Sequence, residues 1–264
     1  MRLAWLTDIH LNFLGGAART RFAERVGATG ADAIVITGDI AEAPDVDVLI
    51  AELAERAGLP VWFVLGNHDF YRGSIAEVRA RVAALADLRP DVRWLGAGGV
   101  IRLDDHTALV GHDGWGDARL GDYAGSPVVL NDVVLIEDLI GLDQEALRAR
   151  LHALGDEAAA RLGADVDEAL TWARHVVVAT HVPPFRDACW HQGRVSGDHW
   201  LPFFACGATG EVLRAAMTAR PDARMTVLCG HTHSGGEAKV LPNLQVLTGG
   251  AVYGAPSVQC LLQV

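Results

Sequence analysis

Five short apolar segments, each ending abruptly in aspartate, asparagine or histidine, constrain the fold of this chain more than any other feature. They read LAWLTDIH from residue 3, AIVITGD from residue 33, VWFVLGNHD from residue 61, HVVVATH from residue 175 and MTVLCGHTH from residue 225. Runs of this kind are typical of strands that are buried on both faces of a sheet. Helix-like segments separate several of them, and this alternation favours an α/β arrangement in which helices cover the strands.

The segments between the apolar runs have the spacing of amphipathic helices. Apolar residues at helical periodicity predict helices over roughly 17–29, 44–58 and 74–88. Ser74 is a suitable N-cap for the last of these. The long stretch 143–174 predicts one or two helices broken near Gly163, whereas residues 92–111 indicate a hairpin-type pair of strands.

A single domain spanning residues 1–264 is the simplest organisation. The chain is long enough to bury a sizeable core, and it contains no internal repeat or linker-like segment. Two stretches, near 112–142 and 183–207, have no clear periodicity. We expect them to be loops that shape a pocket, because binding residues are often carried on loops held by a rigid scaffold.

The composition excludes several classes of protein. Half of the residues are apolar and 21% are charged, as in ordinary globular domains. The formal net charge of −11 argues against a dedicated nucleic-acid binder, which usually presents a basic face. The four cysteines lack C-x-x-C spacing, so we expect neither a thiolate metal site nor a disulfide framework, and a reducing cytoplasm is the expected location. No apolar segment approaches the roughly 20 residues of a membrane span.

The polar residues that end the apolar runs are expected to meet in one cleft. Parallel strands present their carboxyl ends at one rim of a sheet, and ligand sites form there. Asp8 and His10, and likewise His231 and His233, are two residues apart, which points both side chains the same way in an extended chain. Carboxylate, amide and imidazole donors without thiolate suit Mn, Fe or Zn. The donors are too many for one tetrahedral metal and fit two ions roughly 3.5–4 Å apart.

The order of these motifs resembles the signature of the calcineurin-like metallophosphoesterases. D-x-H appears at Asp8–His10, G-D at Gly38–Asp39, G-N-H-D at Gly66–Asp69, a single histidine at His181 and G-H-x-H at Gly230–His233. The motifs run in the family's order over most of the chain. The resemblance implies a four-layer α/β sandwich, in which two packed mixed β-sheets are flanked by helices.

The resemblance also implies a role for each residue of the signature. Asp8, His10 and His233 would hold a first metal, Asp39 would bridge, and Asn67, His181 and His231 would hold a second metal. His68 is left unligated as a catalytic group that protonates the leaving oxygen or stabilises developing charge. Asp69 is grouped with it as a catalytic residue that holds His68 or stabilises the turn. Two divalent or trivalent ions are the implied cofactors, with Mn or Fe ahead of Zn.

Four residues outside the signature are candidates for contact with the substrate. His112 and Trp115 follow a strand-like run and are expected either to line the cleft or to belong to a Gly-rich loop packed by the indole. His191 and Arg194 lie in the segment that follows His181. A loop that starts at a metal ligand is a natural specificity element, and packing within the loop is the alternative.

The functional hypothesis is a phosphoesterase that cleaves a P–O bond by attack of a hydroxide bridging two metals. A small phosphodiester such as a cyclic nucleotide is the first choice of substrate, because a free His68 suits an alkoxide leaving group. Phosphomonoesterase, nucleotide pyrophosphatase and protein phosphatase activities are alternatives. The acidic composition disfavours a nuclease, and the complete ligand set disfavours a metal-free scaffold of the same fold. The expected partner is a small phosphorylated substrate, with no membrane; the oligomeric state stays open.

Overall fold

The computed structural model describes all of residues 1–264, and its first β-sheet contains the three N-terminal apolar runs. The strand order of this five-stranded sheet is β13-β1-β2-β3-β4. The strands are β1 (Arg2–Leu6), β2 (Ala33–Thr37), β3 (Val61–Val64), β4 (Val92–Trp94) and β13 (Cys260–Gln263). Strands β1 to β4 are parallel, and β13 adds an antiparallel edge beside β1.

The second sheet contains the two remaining apolar runs. Its six strands follow the order β11-β12-β10-β7-β6-β5, with a parallel centre and antiparallel strands at both edges. The strands are β5 (Ile101–Arg102), β6 (Thr107–His112), β7 (His175–Thr180), β10 (Arg224–Cys229), β11 (Gly236–Leu241) and β12 (Leu244–Thr248). A separate small hairpin is formed by β8 (Trp190–His191) and β9 (Arg194–Val195).

Helices cover the outer face of each sheet. They are α1 (Gly16–Gly27), α2 (Val46–Ala57), α3 (Ile75–Leu88), α4 (Asp132–Leu135), α5 (Gln144–Leu170), α6 (Leu201–Phe204) and α7 (Gly207–Ala219). Helices α1, α2 and α3 pack on the first sheet, and α5 and α7 pack on the second. None of the helices combines the length and the apolar character that crossing a bilayer requires.

The alternation of side chains along the central strands explains why the apolar runs are continuous. In β2, Ala33 and Val35 face the second sheet, whereas Ile34 and Ile36 face the helices. Successive residues of a strand point to opposite faces, so a strand between a sheet and a helical layer must be apolar at every position. The predicted four-layer sandwich of two mixed sheets flanked by helices is confirmed.

Two details differ from the sequence-based expectations. Helix α5 is continuous, and the predicted break at Gly163 is wrong: a Cβ at this position would lie 2.9 Å from Val212 Cγ1 of α7, so the glycine allows two helices to pack closely. The region 92–111 is divided between the sheets. Strand β4 belongs to the first sheet, and only β5 and β6 form the expected hairpin.

Candidate metal centre

The five strand ends meet at one rim of the sandwich, and the backbone there is unusual. Five residues of the predicted ligand set have a positive φ: Asp8 at 48°, His10 at 39°, Asp39 at 51°, His231 at 71° and His233 at 58°. Side chains other than glycine rarely adopt this conformation, and each instance costs about 1–3 kcal/mol. Strain of this kind persists only where surrounding structure imposes it, and it concentrates at functional sites.

Glycines precede several of the predicted ligands because the side chains of other ligands lie against the backbone there. A Cβ at Gly66 would collide with the Asp39 carboxylate, and a Cβ at Gly230 would collide with Asp8. The glycines of the G-N-H-D and G-H-x-H motifs are therefore required for two strand ends to approach each other.

One cluster of donor atoms, here called the first ligand group, consists of Asp8, His10 and His233. Their donor atoms and one oxygen of Asp39 all lie within 4.8 Å of one another. His233 Nε2 is 3.3 Å from Asp8 Oδ1 and 3.3 Å from His10 Nε2. Asp8 and His10 are almost completely buried. The group offers one carboxylate and two imidazoles to a single point.

A second ligand group consists of Asn67, His181 and His231. Asn67 Oδ1 lies 3.1 Å from His181 Nε2 and 3.0 Å from His231 Nδ1. The two nitrogens are 3.2 Å apart. An amide oxygen and two imidazole nitrogens therefore converge at distances typical of atoms that share a ligand.

Hydrogen bonds behind the second ligand group fix which atoms carry protons. His181 Nδ1 is 2.8 Å from the carbonyl oxygen of Thr37, and His231 Nε2 is 3.0 Å from the carbonyl oxygen of Phe203. Carbonyl oxygens only accept, so these ring nitrogens donate, and in the neutral rings the opposite nitrogens present lone pairs. The Asn67 oxygen is an acceptor as well. Three acceptors that face one another without a proton form a site for a cation.

Asp39 joins the two ligand groups. Its Oδ1 is 3.4 Å from His181 Nε2 in the second group, and its Oδ2 is 3.9 Å from His10 Nε2 in the first. Each oxygen of one carboxylate therefore faces a different group. This is the arrangement that a bridging ligand requires.

Burial keeps two imidazoles of the centre, those of His10 and His231, neutral. It lowers the pKa of His10 to about 4 and the pKa of His231 to about 3. Both rings are therefore uncharged at neutral pH, because the imidazolium form loses its hydration in the interior. A neutral ring is the form that binds metals.

The carboxylates place buried negative charge beside these neutral rings. Burial, together with the charges of Asp8 and Asp69, raises the pKa of Asp39 well above its usual value. For Asp8 burial acts in the same direction, but the hydrogen bond from His233 and the surrounding histidines outweigh it and bring its pKa below the usual value. Buried carboxylates that repel one another are stabilised by a cation placed between them.

Comparison with known proteins agrees with this geometry. The family model for calcineurin-like phosphoesterases matches residues 1–235. The chain belongs to the calcineurin-like phosphoesterase family. No curated protein is similar enough in sequence to count as a relative.

Solved structures share the fold of this phosphoesterase at low sequence identity. Phosphopantetheinyl hydrolase from Mycobacterium tuberculosis aligns with a TM-score of 0.65 and 17% identity over 94% of this chain and 89% of its own. A dimetal phosphatase from Danio rerio aligns with a TM-score of 0.61 and 14% identity over 97% and 89% of the two chains. The protein TT1561 from Thermus thermophilus aligns with a TM-score of 0.54 and 16% identity over 94% and 88%.

The donor set of this phosphoesterase fits the divalent metals used by its family. The donors are imidazole nitrogens, carboxylate oxygens and one amide oxygen, which suit first-row metals such as Mn, Fe and Zn. The converging lone pairs of the second ligand group and the buried carboxylate of the first are both stabilised by positive charge. Asp39 contributes one oxygen to each.

His68 stands beside the phosphoesterase's ligand groups without joining either. Its Nε2 lies 3.9 Å from Asp39 Oδ2, its ring packs on Tyr71 with centroids 4.2 Å apart, and its side chain is 17% exposed to the cleft. Burial and the neighbouring His10 lower its pKa to about 2. The imidazole is therefore neutral at neutral pH and offers an N–H group and a lone pair.

Asp69 holds the turn and does not reach the cleft. One carboxylate oxygen accepts from the backbone N–H groups of Ile40 and Ala41, and the other accepts from Gly66, each at 2.8 Å. The side chain thus ties the loop after Asp39 to the loop that carries Asn67. Of the two roles suggested for Asp69, holding His68 or stabilising the turn, these contacts match the second, because both oxygens accept from backbone N–H groups and the side chain is fully buried.

The four predicted substrate contacts are distributed unevenly around the cleft of about 230 Å³ that lies over the metal centre. His191 lines it, with Nδ1 at 3.2 Å from the carbonyl oxygen of Thr232. Arg194 is exposed on the neighbouring strand β9 and does not line the cleft. His112, the last residue of β6, and Trp115 are 2% and 4% exposed and do not line the cleft. Of the two alternatives for these residues, packing is the one found, although Trp115 also lines a narrow space beside Asn67 and His231.

The structure also identifies residues that the sequence did not indicate. Asp132 accepts hydrogen bonds from Asn67 Nδ2 and from Tyr71 Oη, both at 2.8 Å. It thereby turns the oxygen of Asn67 towards the second ligand group. Tyr253 lines the cleft, with its ring centroid 4.5 Å from that of His10. Neither residue belongs to a motif, and both reach the site from distant parts of the chain.

Proposed function

We propose that this phosphoesterase hydrolyses small phosphodiesters with two divalent metal ions, of which Mn or Fe best match its imidazole and carboxylate donors. When bound, such ions supply Lewis acidity to the phosphoryl oxygens and ionise a water nucleophile near neutral pH. The first ligand group would hold one ion and the second ligand group the other. Asp39 would contribute to both.

The charge of the cleft is the observation that carries the choice of a diester. Twelve residues line the cleft, and none of them is lysine or arginine. A phosphomonoester carries about −1.5 to −2 charges at pH 7, whereas a diester carries a single one. A cleft without lysine or arginine offers no such side chain, beyond the metals themselves, for the additional charge of a monoester, and this supports the diester.

His68 is the residue best positioned to act on the leaving group. The neutral ring can donate an N–H hydrogen bond to the oxygen on which negative charge develops. Its backbone N–H donates to Asp39 Oδ1 at 2.9 Å, which keeps the imidazole next to the shared carboxylate. This role requires no imidazolium in the resting protein.

The size of the cleft supports a small substrate rather than a nucleic acid. The acidic net charge of −11 and the lack of a basic side chain in the lining also disfavour a nuclease. A cyclic nucleotide is one diester of suitable size. The four cysteines are unpaired, in keeping with a cytoplasmic location.

The first experiment compares bis(p-nitrophenyl) phosphate with p-nitrophenyl phosphate as substrates of Mn-loaded protein. We expect a larger kcat/KM for the diester and two equivalents of metal after reconstitution. A preference for the monoester would contradict the proposed phosphodiesterase activity and indicate a phosphomonoesterase instead. Retention of less than one equivalent of Mn, Fe or Zn would overturn the dinuclear centre itself.

A further inference from the structure

A second cavity, of about 220 Å³, lies beside the cleft and is lined mainly by aliphatic side chains. Ten of its 13 lining residues are hydrophobic, and all but one come from the segment 123–151. An engineered cavity of about 150 Å³ is large enough to hold benzene. The apolar cavity therefore has room for an aliphatic group of about six carbons.

Three of the four polar side chains in the wall of the apolar cavity have partners, and the fourth, Gln144, is exposed. Tyr123 donates its hydroxyl to the carbonyl oxygen of Gln144 at 2.8 Å, and Ser126 donates to the carbonyl oxygen of His199 at 2.7 Å. Asp132 accepts from Asn67, as described above. With these groups engaged, the cavity presents aliphatic surface to an occupant and selects for an apolar one.

The apolar cavity lies next to the metal centre and shares lining residues with the space between them. A narrow space of about 20 Å³ is lined on one side by Asn67 and His231 of the second ligand group. On its other side it is lined by Leu151 and Phe203, which also line the apolar cavity. Leu130 lines the cleft, the narrow space and the apolar cavity alike.

The mouth of the apolar cavity leaves hydrophobic side chains in water. Val129 is 76% exposed and Leu142 is 38% exposed, and both line the cavity. These two side chains lie together at the mouth of a cavity rather than scattered singly, and contiguous exposed apolar surface is a feature of binding sites. Because Leu130 lines both this cavity and the cleft, the substrate is the favoured occupant, and the net charge of −11 disfavours an anionic membrane surface.

We propose that the apolar cavity binds an aliphatic arm of the substrate while the phosphoryl group lies at the metal centre. The inference rests on the proposed phosphodiesterase function and narrows it. The substrate class becomes acyclic phosphodiesters in which one ester substituent is an alkyl or acyl chain. Cyclic nucleotides, which have no such arm, are correspondingly poorer substrates.

A series of alkyl p-nitrophenyl phosphates, from methyl to octyl, tests the inference on Mn-loaded protein. Each methylene that enters the cavity should lower KM roughly fourfold, and the effect should level off at about six carbons. The kcat should change little, because the arm contributes equally to the ground state and the transition state. Equal KM values for the methyl and hexyl esters would overturn the inference.

Two adjacent valines of α4 provide a matched pair of variants. Val133 lines the cavity, whereas Val134 is 61% exposed and does not. Val133→Trp should fill the cavity and abolish the dependence on chain length, and Val134→Trp should keep it. Leu142→Gln, at the exposed mouth, is a milder second variant that should weaken the dependence. Chain-length dependence that survives both Val133→Trp and Leu142→Gln would place the arm elsewhere and overturn the inference.

The methyl ester separates the two levels of the proposal. If the wild-type protein with bound Mn fails to cleave it, the phosphodiesterase function fails. If it is cleaved but longer esters bring no gain, only the aliphatic arm fails. Sedimentation of the same proteins identifies the rival occupant: a dimer that Leu142→Gln dissociates, without any chain-length effect, would assign the apolar surface to a second copy of the chain.

Discussion

The two ligand groups of the metal centre differ in how firmly their donor atoms are held. In the second group each side chain has a hydrogen-bond partner behind it: the carbonyl of Thr37, the carbonyl of Phe203, and Asp132. In the first group, His10 Nδ1 is buried without a partner, and the side chain of His233 is 24% exposed. Only Asp8 of the first group has comparable support, from Thr7 Oγ1 and the backbone N–H of His231. The second group is therefore preorganised at all three side chains and the first at one.

This difference predicts an order of metal binding. Partners behind the ligands commonly change metal affinity by about 10–100-fold, because they fix ring orientation and tautomer. We therefore expect the second ligand group to take the tighter metal and the first the more readily exchanged one. Titration of apo-protein with Mn should give two separate phases, which the variants below assign.

The largest effect is expected when the carboxylate shared by the two ligand groups, that of Asp39, is removed. Asp39→Asn replaces the shared carboxylate, so both metals lose a charged ligand. We expect metal content below one equivalent and a fall in kcat/KM of at least ~10³-fold, about 4 kcal/mol of transition-state stabilisation. Asp167→Asn, on the exposed face of α5, is the control. Two equivalents of metal in Asp39→Asn would show that the groups do not depend on this residue.

The next variant tests a residue that belongs to neither group. His68→Ala should reduce kcat by roughly 10²-fold on a diester with a poor leaving group, because the donor to the departing oxygen is lost. Both phases of the Mn titration should remain unchanged. A smaller loss is expected with p-nitrophenolate, which departs without help. Near-normal turnover of the poor leaving group would contradict the role of His68.

A third variant breaks the support behind the second group alone. Asp132→Ala removes the acceptor that orients Asn67, and we expect the tight phase of the Mn titration to weaken by roughly 10–100-fold. Asp132→Asn should largely restore it, since an amide oxygen still accepts from Asn67 and Tyr71. If both substitutions were equally harmful, the orientation of Asn67 would not be the cause.

The convergence of the proposed metal ligands could be predicted from sequence because their positions follow from the sheets. Asp39, Asn67 and His181 each follow a parallel strand, so the topology alone brings them to one rim. The continuous apolar runs likewise reveal strands covered on both faces. The local apolar pattern is therefore enough to predict which strand ends meet, and the resemblance to a family motif adds only the role of each residue.

The support behind the second group could not be predicted, because it comes from the two loop segments. Asp132 lies in 112–142 and Phe203 in 183–207, and their contacts depend on how those segments fold over the strand ends. Asp132 and Asn67 are 65 positions apart, with no periodicity to connect them. The segments expected to shape the pocket thus also orient the metal ligands, which composition and spacing do not reveal.

The smallest effect is expected from Thr7→Val, which removes a hydrogen bond that supports Asp8 in the first group. Thr7 Oγ1 donates to Asp8 Oδ2 at 2.6 Å, and Thr7→Val removes that bond while keeping the side-chain shape. Asp8 retains the backbone N–H of His231 at 3.0 Å, so we expect the weak phase of the Mn titration to shift by no more than about tenfold. The tight phase should not move. If Thr7→Val weakened the tight phase as much as Asp132→Ala does, the contrast between a preorganised and a loosely held group would fail, because support behind either group would then reach both metals equally.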